Sequence, residues 1–546
     1  MSDIERDQTS TVQPVKAEQD GSGQSSTTEV DDHEYPGGFK LGLIALALCL
    51  SVFLIALDNT ILATAIPKIT DHFHSLDDVG WYGSAYLLTT ASFQLMFGKF
   101  YTYFSIKWTY ITAISIFEIG SLVCGVAPTS EALIVGRAIA GIGSAGVFSG
   151  ALIIIAHSTP LPKRPLFTGI LGAMYGLASV AGPLMGGAFT DKVTWRWCFY
   201  INLPIGGVTL VVIALFFTSP ARQKSSKIDS WRDGLRKFDS WGTLAFIPAI
   251  ISLLLALQWG GTKYPWSNGR IIGLLVVFGV LIIIFIGIQI WKQDDATVPP
   301  RILKQRSILS SAWFAFTLGA SFFVMVYYIP IWFQAIKGTT AVKSGIDNLP
   351  TILGVVLASI ISGALISAMG YYTPWMILST ILASIGAGLI STFKPDTPSA
   401  KWIGFQAIYG LGIGVGLQQP LMAAQTVLPL QDVPSGTAII VFSQTVGGAI
   451  FISIAQNIFT NKLLTETIKR APGVDPSVVL GVGATMVRSV VPPESLSGVI
   501  EAYNQALVNA FYVAVAMACF TVAGSLLVEW KSVKESGNGG AAMHAA

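Results

Sequence analysis

The stretch FLIALDNTILATAIP, residues 53–67, sets an acid and an amide, Asp58 and Asn59, inside a run that is otherwise apolar. Runs of this kind follow one another from residue 41 to residue 530. A bilayer core about 30 Å thick takes roughly 20 apolar residues per helical crossing. Of the 546 residues, 52% are hydrophobic and 12% charged, with a mean hydropathy of +0.63, which is the profile of a membrane protein. Strands of alternating polarity do not appear, which argues against a transmembrane barrel.

The runs predict fourteen spans, near 41–66, 79–98, 108–127, 132–156, 165–188, 196–217, 239–258, 271–290, 308–334, 346–368, 373–392, 402–422, 435–458 and 507–529. An even number puts both termini on one side. The richest basic loop, ARQKSSKIDSWRDGLRKFD at 221–239, makes that side cytoplasmic by the positive-inside rule. Residues 1–40 are rich in Ser, Thr, Asp, Glu and Gln and read as a disordered cytoplasmic tail. No cleavable leader is evident there, so the first span is its own signal. The formal net charge of +3 sits in loops that topology already explains, and nothing supports nucleic-acid binding. Cys49, Cys124, Cys198 and Cys519 all fall within spans, with neither a disulfide framework nor metal spacing.

The chain echoes itself. GRAIAGIGSAG from Gly136 matches FQAIYGLGIGVG from Phe405, aligning Gly141 and Gly143 with Gly410 and Gly412, and Arg137 with Gln406. GKFYTYFSIKW at 98–108 matches GALISAMGYY at 363–372, aligning Gly98 with Gly363. Both echoes are offset by eight spans. The reading is therefore an N-terminal six-helix bundle at 41–217, a cytoplasmic loop at 218–238, two inserted helices at 239–290, a second loop at 291–307, and a C-terminal six-helix bundle at 308–530. The C-terminal bundle carries a long non-cytoplasmic loop at 459–506, whose 488–505 part suggests a turn and a short amphipathic helix, and 531–546 is a cytoplasmic tail. Repeated halves around a midplane site are the architecture of secondary transporters.

An ionised group at the bilayer centre costs about 2.5–3.5 kcal/mol on insertion scales, so each needs a partner or a purpose. Asp58, Glu118 and Arg137 are such groups. At 1.5 Å per residue, Asp58 lies ~13 Å and Arg137 ~8 Å inside the outer ends of their spans, with Glu118 at a comparable level. Two readings stand: a buried ion pair that fixes packing, or a proton-coupling site in which apolar burial and the guanidinium pull the carboxyl in opposite directions. On the fifth span, GAMYGLASVAGPLMGGAF places Gly182, Pro183, Gly186 and Gly187 where small residues allow close helix contact and proline bends the helix.

LDNTILATAIP at 57–67, RAIAGIG at 137–143, AGPLMGG at 181–187 and WRWCFYINLPIGG at 195–207 together resemble the fourteen-span drug:proton antiporter branch of the major facilitator superfamily. The C-terminal half, with GLGIGVGLQQPLMAAQTVLP at 410–429, is similar to fungal exporters of toxins and drugs. The resemblance covers about residues 40–530. It implies an all-α, two-bundle fold with alternating access, and a proline–glycine motif on the fifth span that marks exporters. Gly98, Lys99 and Lys107 fit the family's loop motif, whereas Thr102 stands where that motif usually carries Asp, and Ala140 where Gln is common. The cavity-lining spans of such a fold nominate Gln94, Tyr327, Gln418, Gln419, Gln425 and Gln444 as substrate contacts, suited to amphipathic organic molecules.

The expected activity is proton-coupled efflux of small amphipathic compounds such as toxins, secondary metabolites or drugs, from the plasma membrane or alternatively a vacuolar one. Proton-coupled uptake of a siderophore or nutrient is the competing reading. No GxxxxGK[ST] loop supports ATP-driven transport, and no HExxH pair or convergent nucleophile and base supports an enzyme. Neither a charged ring nor a filter loop supports a channel. No cofactor or metal is expected; the partners are the cargo, protons and the bilayer, and the sequence leaves the oligomeric state open.

Overall fold

The computed structural model describes residues 35–74, 78–218, 238–261, 263–481 and 487–534. Most of the predicted N-terminal tail, most of the basic loop at 218–238 and most of the C-terminal tail lie outside the described residues. In lipid each backbone polar group must be satisfied within its own segment, and the described chain answers with helices throughout.

The helices are α1 (Gly38–Phe73), α2 (Val79–Tyr103), α3 (Ile106–Val126), α4 (Ser130–Ser158), α5 (Arg164–Lys192), α6 (Trp197–Tyr200) and α7 (Asn202–Phe216). A hairpin of α8 (Ser240–Trp259) and α9 (Gly269–Lys292) follows. The second half holds α10 (Pro300–Leu303), α11 (Arg306–Ala335), α12 (Ala341–Asp347), α13 (Leu349–Met369), α14 (Thr373–Ile390), α15 (Ser399–Gly416), α16 (Gln419–Val427), α17 (Val433–Arg470), α18 (Pro476–Gly481), α19 (Val487–Val490) and α20 (Pro493–Leu527). Among the described residues, 12 helices are long and apolar enough to cross a membrane. Of the fourteen predicted spans, 79–98 and 402–422 fall on helices outside that set: α2 is lined with polar side chains, and the 402–422 run is broken between α15 and α16.

That break is a local consequence of sequence. Pro420 sits in the first turn of α16, where its missing N–H costs nothing, and it ends the preceding helix just upstream. The stretch 459–506 also differs from its reading as a loop. α17 continues to Arg470 and α20 begins at Pro493 and runs unbroken to Leu527, so much of the segment is helix projecting beyond the apolar layer. Glu466 bonds Lys462 and Arg470 along α17, which stabilises a helix no longer shielded by lipid.

The N-terminal helices α1–α7 pack on one another, as do α11–α17 and α20. α4 is central, with 78% of its apolar window buried, against 11% for the outermost α9. Glycines permit this: a β-carbon at Gly141 would collide with the Tyr86 carbonyl on α2, and one at Gly143 with the backbone of Phe117 on α3. Their repeat partners behave alike, Gly410 against the Thr351 carbonyl on α13 and Gly412 against Ala383 on α14. The halves meet where α2 packs on α17 and α5 on α13. The α8–α9 hairpin leans on both halves through Trp81–Trp259, ring centroids 5.8 Å apart, and Phe246–Phe442, 5.2 Å apart.

Candidate functional site

Asp58 on α1 and Arg137 on α4 form a fully buried ion pair. Arg137 Nε also donates to the Tyr82 carbonyl oxygen at 2.8 Å, and its guanidinium lies 4.5 Å from the ring centre of Tyr86. The second carboxylate oxygen of Asp58 accepts from Asn202 Nδ2 at 3.3 Å, and the same amide reaches Ser121 Oγ at 3.1 Å. Four helices thus converge on one carboxylate: α1 bears it, α4 neutralises it, and α7 and α3 tie down its far side. In so apolar a place the attraction is barely screened, and removing either charge strands the other.

Glu118 does not join this pair. It lies one turn along α3 from Ser121, its carboxylate pressed against Gly206 of α7, and among the described residues neither oxygen has a hydrogen-bond partner. The sequence reading singled out charges and so missed Asn202, Ser121, Tyr82 and Tyr86, which complete the site without charge. Asn202 was visible within the quoted INLP stretch, yet a lone amide carries no signal of its partner.

In front of the pair lies a cavity between the two halves. Asn59, Tyr86, Gln94, Phe148 and Tyr175 face it from the N-terminal half, and Phe322, Phe323, Gln418 and Gln444 from the C-terminal half. Of the nominated residues, Gln94, Gln418 and Gln444 line this wall and three do not. Gln419 turns back to Ser362 and the Val415 carbonyl, Gln425 is buried in α16, and Tyr327 is half exposed one turn beyond Phe323. The physical reason is the α15–α16 break: it swings Gln418 into the cavity, against Gly172 of α5, and rotates Gln419 and Gln425 away. Gln418 Oε1 is buried without a partner among the described residues, as are Gln419 Oε1 and both side-chain polar atoms of Gln425. Among the described residues that line the wall there is no Asp, Glu, Lys, Arg or His.

Beneath the cavity the halves close on the face predicted to be cytoplasmic. Gly98 lies against Ala438 and Pro434 of α17, and its counterpart Gly363 against the Pro165 carbonyl of α5. Thr102 meets Ser435 Oγ at 3.4 Å. Lys99 reaches the Asp294 carbonyl at 3.4 Å and Lys107 the Ala214 carbonyl at 2.6 Å. Gly182 and Gly186 serve a different contact: they seat α5 on Thr60 and Thr64 of α1, inside the N-terminal half, where Thr60 Oγ1 also donates to the Ala178 carbonyl at 2.9 Å. A Gly187 β-carbon would lie 3.8 Å from Val342 Cγ2, and Pro183 lies 3.8 Å from the position a Gly345 β-carbon would take. Among the described residues no group of three His, Cys, Asp or Glu is placed to hold a metal ion.

The family model of the Major Facilitator Superfamily matches residues 48–452. The chain is 62% identical over 497 residues to "MFS-type efflux pump MFS1" of Arthroderma benhamiae, covering 91% of this chain and 92% of that one. It is 55% identical over 495 residues to "Efflux pump roqT" of Penicillium rubens, covering 91% and 92%. Among solved structures, the human organic anion transporter MFSD10 (TETRAN) superposes with a TM-score of 0.58 at 12% identity, over 88% of this chain and 99% of that one. With its two packed halves, central cavity and buried ion pair, this multi-pass membrane protein belongs to the Major Facilitator Superfamily.

Proposed function

We propose that the protein exports small amphipathic organic molecules from the cell in exchange for protons, acting as a transporter and not as an enzyme. The observation that carries the reading is the placement of the Asp58–Arg137 pair behind a cavity whose wall is aliphatic and aromatic with amide and hydroxyl groups set into it. Relatives at 62% and 55% identity bear the name efflux pump, which favours export over uptake. All fourteen helical segments cross the plasma membrane in this reading, with both termini inside and α8–α9 as an insert between two six-helix bundles.

Asp58 is the proton site and Arg137 its regulator. Arg137 stays protonated and so cannot be the exchanged group. When water reaches Asp58 from outside, protonation removes its charge and weakens the pairing. The halves then rearrange about the Gly98, Pro183 and Gly363 contacts and release the proton inward, and export accompanies the return with Asp58 ionised and paired. Gln94, Gln418 and Gln444 hold the cargo. One proton descending ~100 mV supplies about 2.3 kcal/mol, with about 1.4 more per pH unit.

A comparison of metabolites retained by cells with and without the gene names the cargo. Its transport is then followed in inside-out vesicles with proton and substrate gradients set independently. Wild-type protein should concentrate the cargo against its gradient, and Asp58→Asn should fold but carry it only downhill. Uphill transport by Asp58→Asn moves the proton site elsewhere, and indifference of the wild type to the proton gradient refutes exchange altogether.

A further inference from the structure

Tyr86 belongs to both parts of the site. It borders the cavity while being fully buried, and its ring also carries the Arg137 guanidinium at 4.5 Å. Its hydroxyl donates to the Ile55 carbonyl oxygen at 3.3 Å, and Ile55 is itself a wall residue one turn before Asn59. Arg137 is otherwise held by the Tyr82 carbonyl at Nε and by Asp58 at one terminal nitrogen, while its other terminal nitrogen has no hydrogen-bond partner among the described residues. The ring is therefore the restraint on the face of the guanidinium, and a cation over an aromatic face is held most strongly where water is excluded. The other ionisable groups near the pair do not reach the guanidinium by hydrogen bond: Glu118 lies against α7, Cys124 Sγ donates to the Leu133 carbonyl, and Tyr175 is on the α5 wall.

We propose that Tyr86 is the positioning residue through which cargo governs the ion pair. With the cavity free, the buried ring keeps Arg137 seated on Asp58; a flat aromatic cargo that enters the cavity and displaces the ring releases that hold and lets Asp58 exchange its proton. The inference rests on the proton-exchange reading and adds the physical link between the two events. Such a link must be reciprocal: what lets cargo loosen the pair also lets protonation of Asp58 change cargo affinity. An aromatic lever at this position also fits a wall without full charges, which favours uncharged ring systems over organic cations or anions.

The test needs no cargo. Full-length protein is placed in liposomes with a trapped pH-sensitive dye, an inward proton gradient is imposed, and acidification is followed. Wild-type protein should leak slowly. Tyr86→Leu, which removes the aromatic face, should raise the leak by about fivefold or more, the lower range of a coupling effect. Tyr86→Phe, which keeps the face and loses the hydroxyl, should rescue the low leak. Combining Tyr86→Leu with Asp58→Asn should return the rate to that of empty liposomes. A Tyr86→Leu protein as tight as wild type overturns the proposal, as does a leak that survives loss of Asp58 or one equally present in Tyr86→Phe. Tyr86→Met, of similar bulk, supplies the same comparison if the leucine variant is poorly folded. Gradient-driven export by the wild type is measured separately, so a tight Tyr86→Leu removes only the lever and leaves proton exchange standing.

Discussion

The two halves share one frame and differ in charge. Arg137 on α4 donates to the Tyr82 carbonyl of α2; at the matching place Gln406 on α15 donates to the Asp347 carbonyl, at 3.1 Å, and accepts from Thr351 Oγ1 of α13 at 3.0 Å. The flanking glycines meet equivalent neighbours in each half. A neutral amide therefore satisfies the same packing geometry as the guanidinium. What Arg137 adds is the pair with Asp58, and a buried ion pair is weak evidence for stability alone. Charge confined to one half is what the proposed switching role of the pair requires.

The comparison breaks most sharply if the charges are only structural. Arg137→Ala leaves Asp58 buried and unpaired, and should cost about 3–5 kcal/mol. Expression and thermal stability in detergent should fall steeply, with partial recovery when Asp58→Asn is added. A second change that gives no recovery means the guanidinium is needed for the Tyr82 and Tyr86 contacts and not for the acid.

Next in size is a contrast between glycines of the two kinds of contact. Gly182→Leu overpacks α5 against Thr60 and Ile61 within one half, and should cost about 1–3 kcal/mol in every state and abolish export. Gly363→Leu instead strikes the Pro165 carbonyl across the junction of the halves. It should leave stability close to wild type and shift the protein towards the state open on that face, read as faster labelling of a cysteine placed beside the cavity floor. Equal destabilisation by both variants would show that the junction does not separate.

Third is the neutral counterpart itself. Gln406→Leu leaves the Asp347 carbonyl and the Thr351 hydroxyl buried without that amide, a loss of about 1–3 kcal/mol. Protons moved per cargo molecule should not change. A change in that ratio would place part of the coupling in the C-terminal half.

Much of this was legible in the sequence, for reasons that also mark the limit. Apolar run length dictates helices in lipid, and a charge in such a run announces itself by its cost, which is how Asp58 and Arg137 stand out. The glycine echo at Gly141 and Gly410 is legible because close approach of backbones tolerates no side chain. Uncharged polar residues carry no such cost, so Asn202 and Ser121 stayed hidden. Helix register at Gln418, Gln419 and Gln425 depends on where a chain breaks, and a shift of one residue turns a side chain through about a quarter of a turn or more. Glu118 shows the converse: depth alone placed it near the pair, but its side chain leaves α3 towards α7.

The smallest expected effect lies where the insert breaks the symmetry of the closed face. Arg301 of α10, in the connector after the insert, bonds Asp294 at 3.0 Å and Asp432, next to the start of α17, at 2.9 Å, while Lys99 of α2 reaches the Asp294 carbonyl. These bonds push the already high pKa of the guanidinium further up, so the clasp persists at any ordinary pH as far as Arg301 is concerned. The contact at Gly98 is therefore reinforced by charge; the described contacts at Gly363 are made by backbone packing. Yet Arg301 and Asp294 are more than half exposed, and exposed pairs contribute about 0–1 kcal/mol and fade with salt. A double-mutant cycle of Arg301→Ala with Asp432→Ala should accordingly give a coupling energy below about 1 kcal/mol, smaller at high salt. Export by Arg301→Ala should stay within a few-fold of wild type. A coupling well above that, insensitive to salt, would mean that the connector locks the face shut, and the two junctions would then differ in mechanism as well as in sequence.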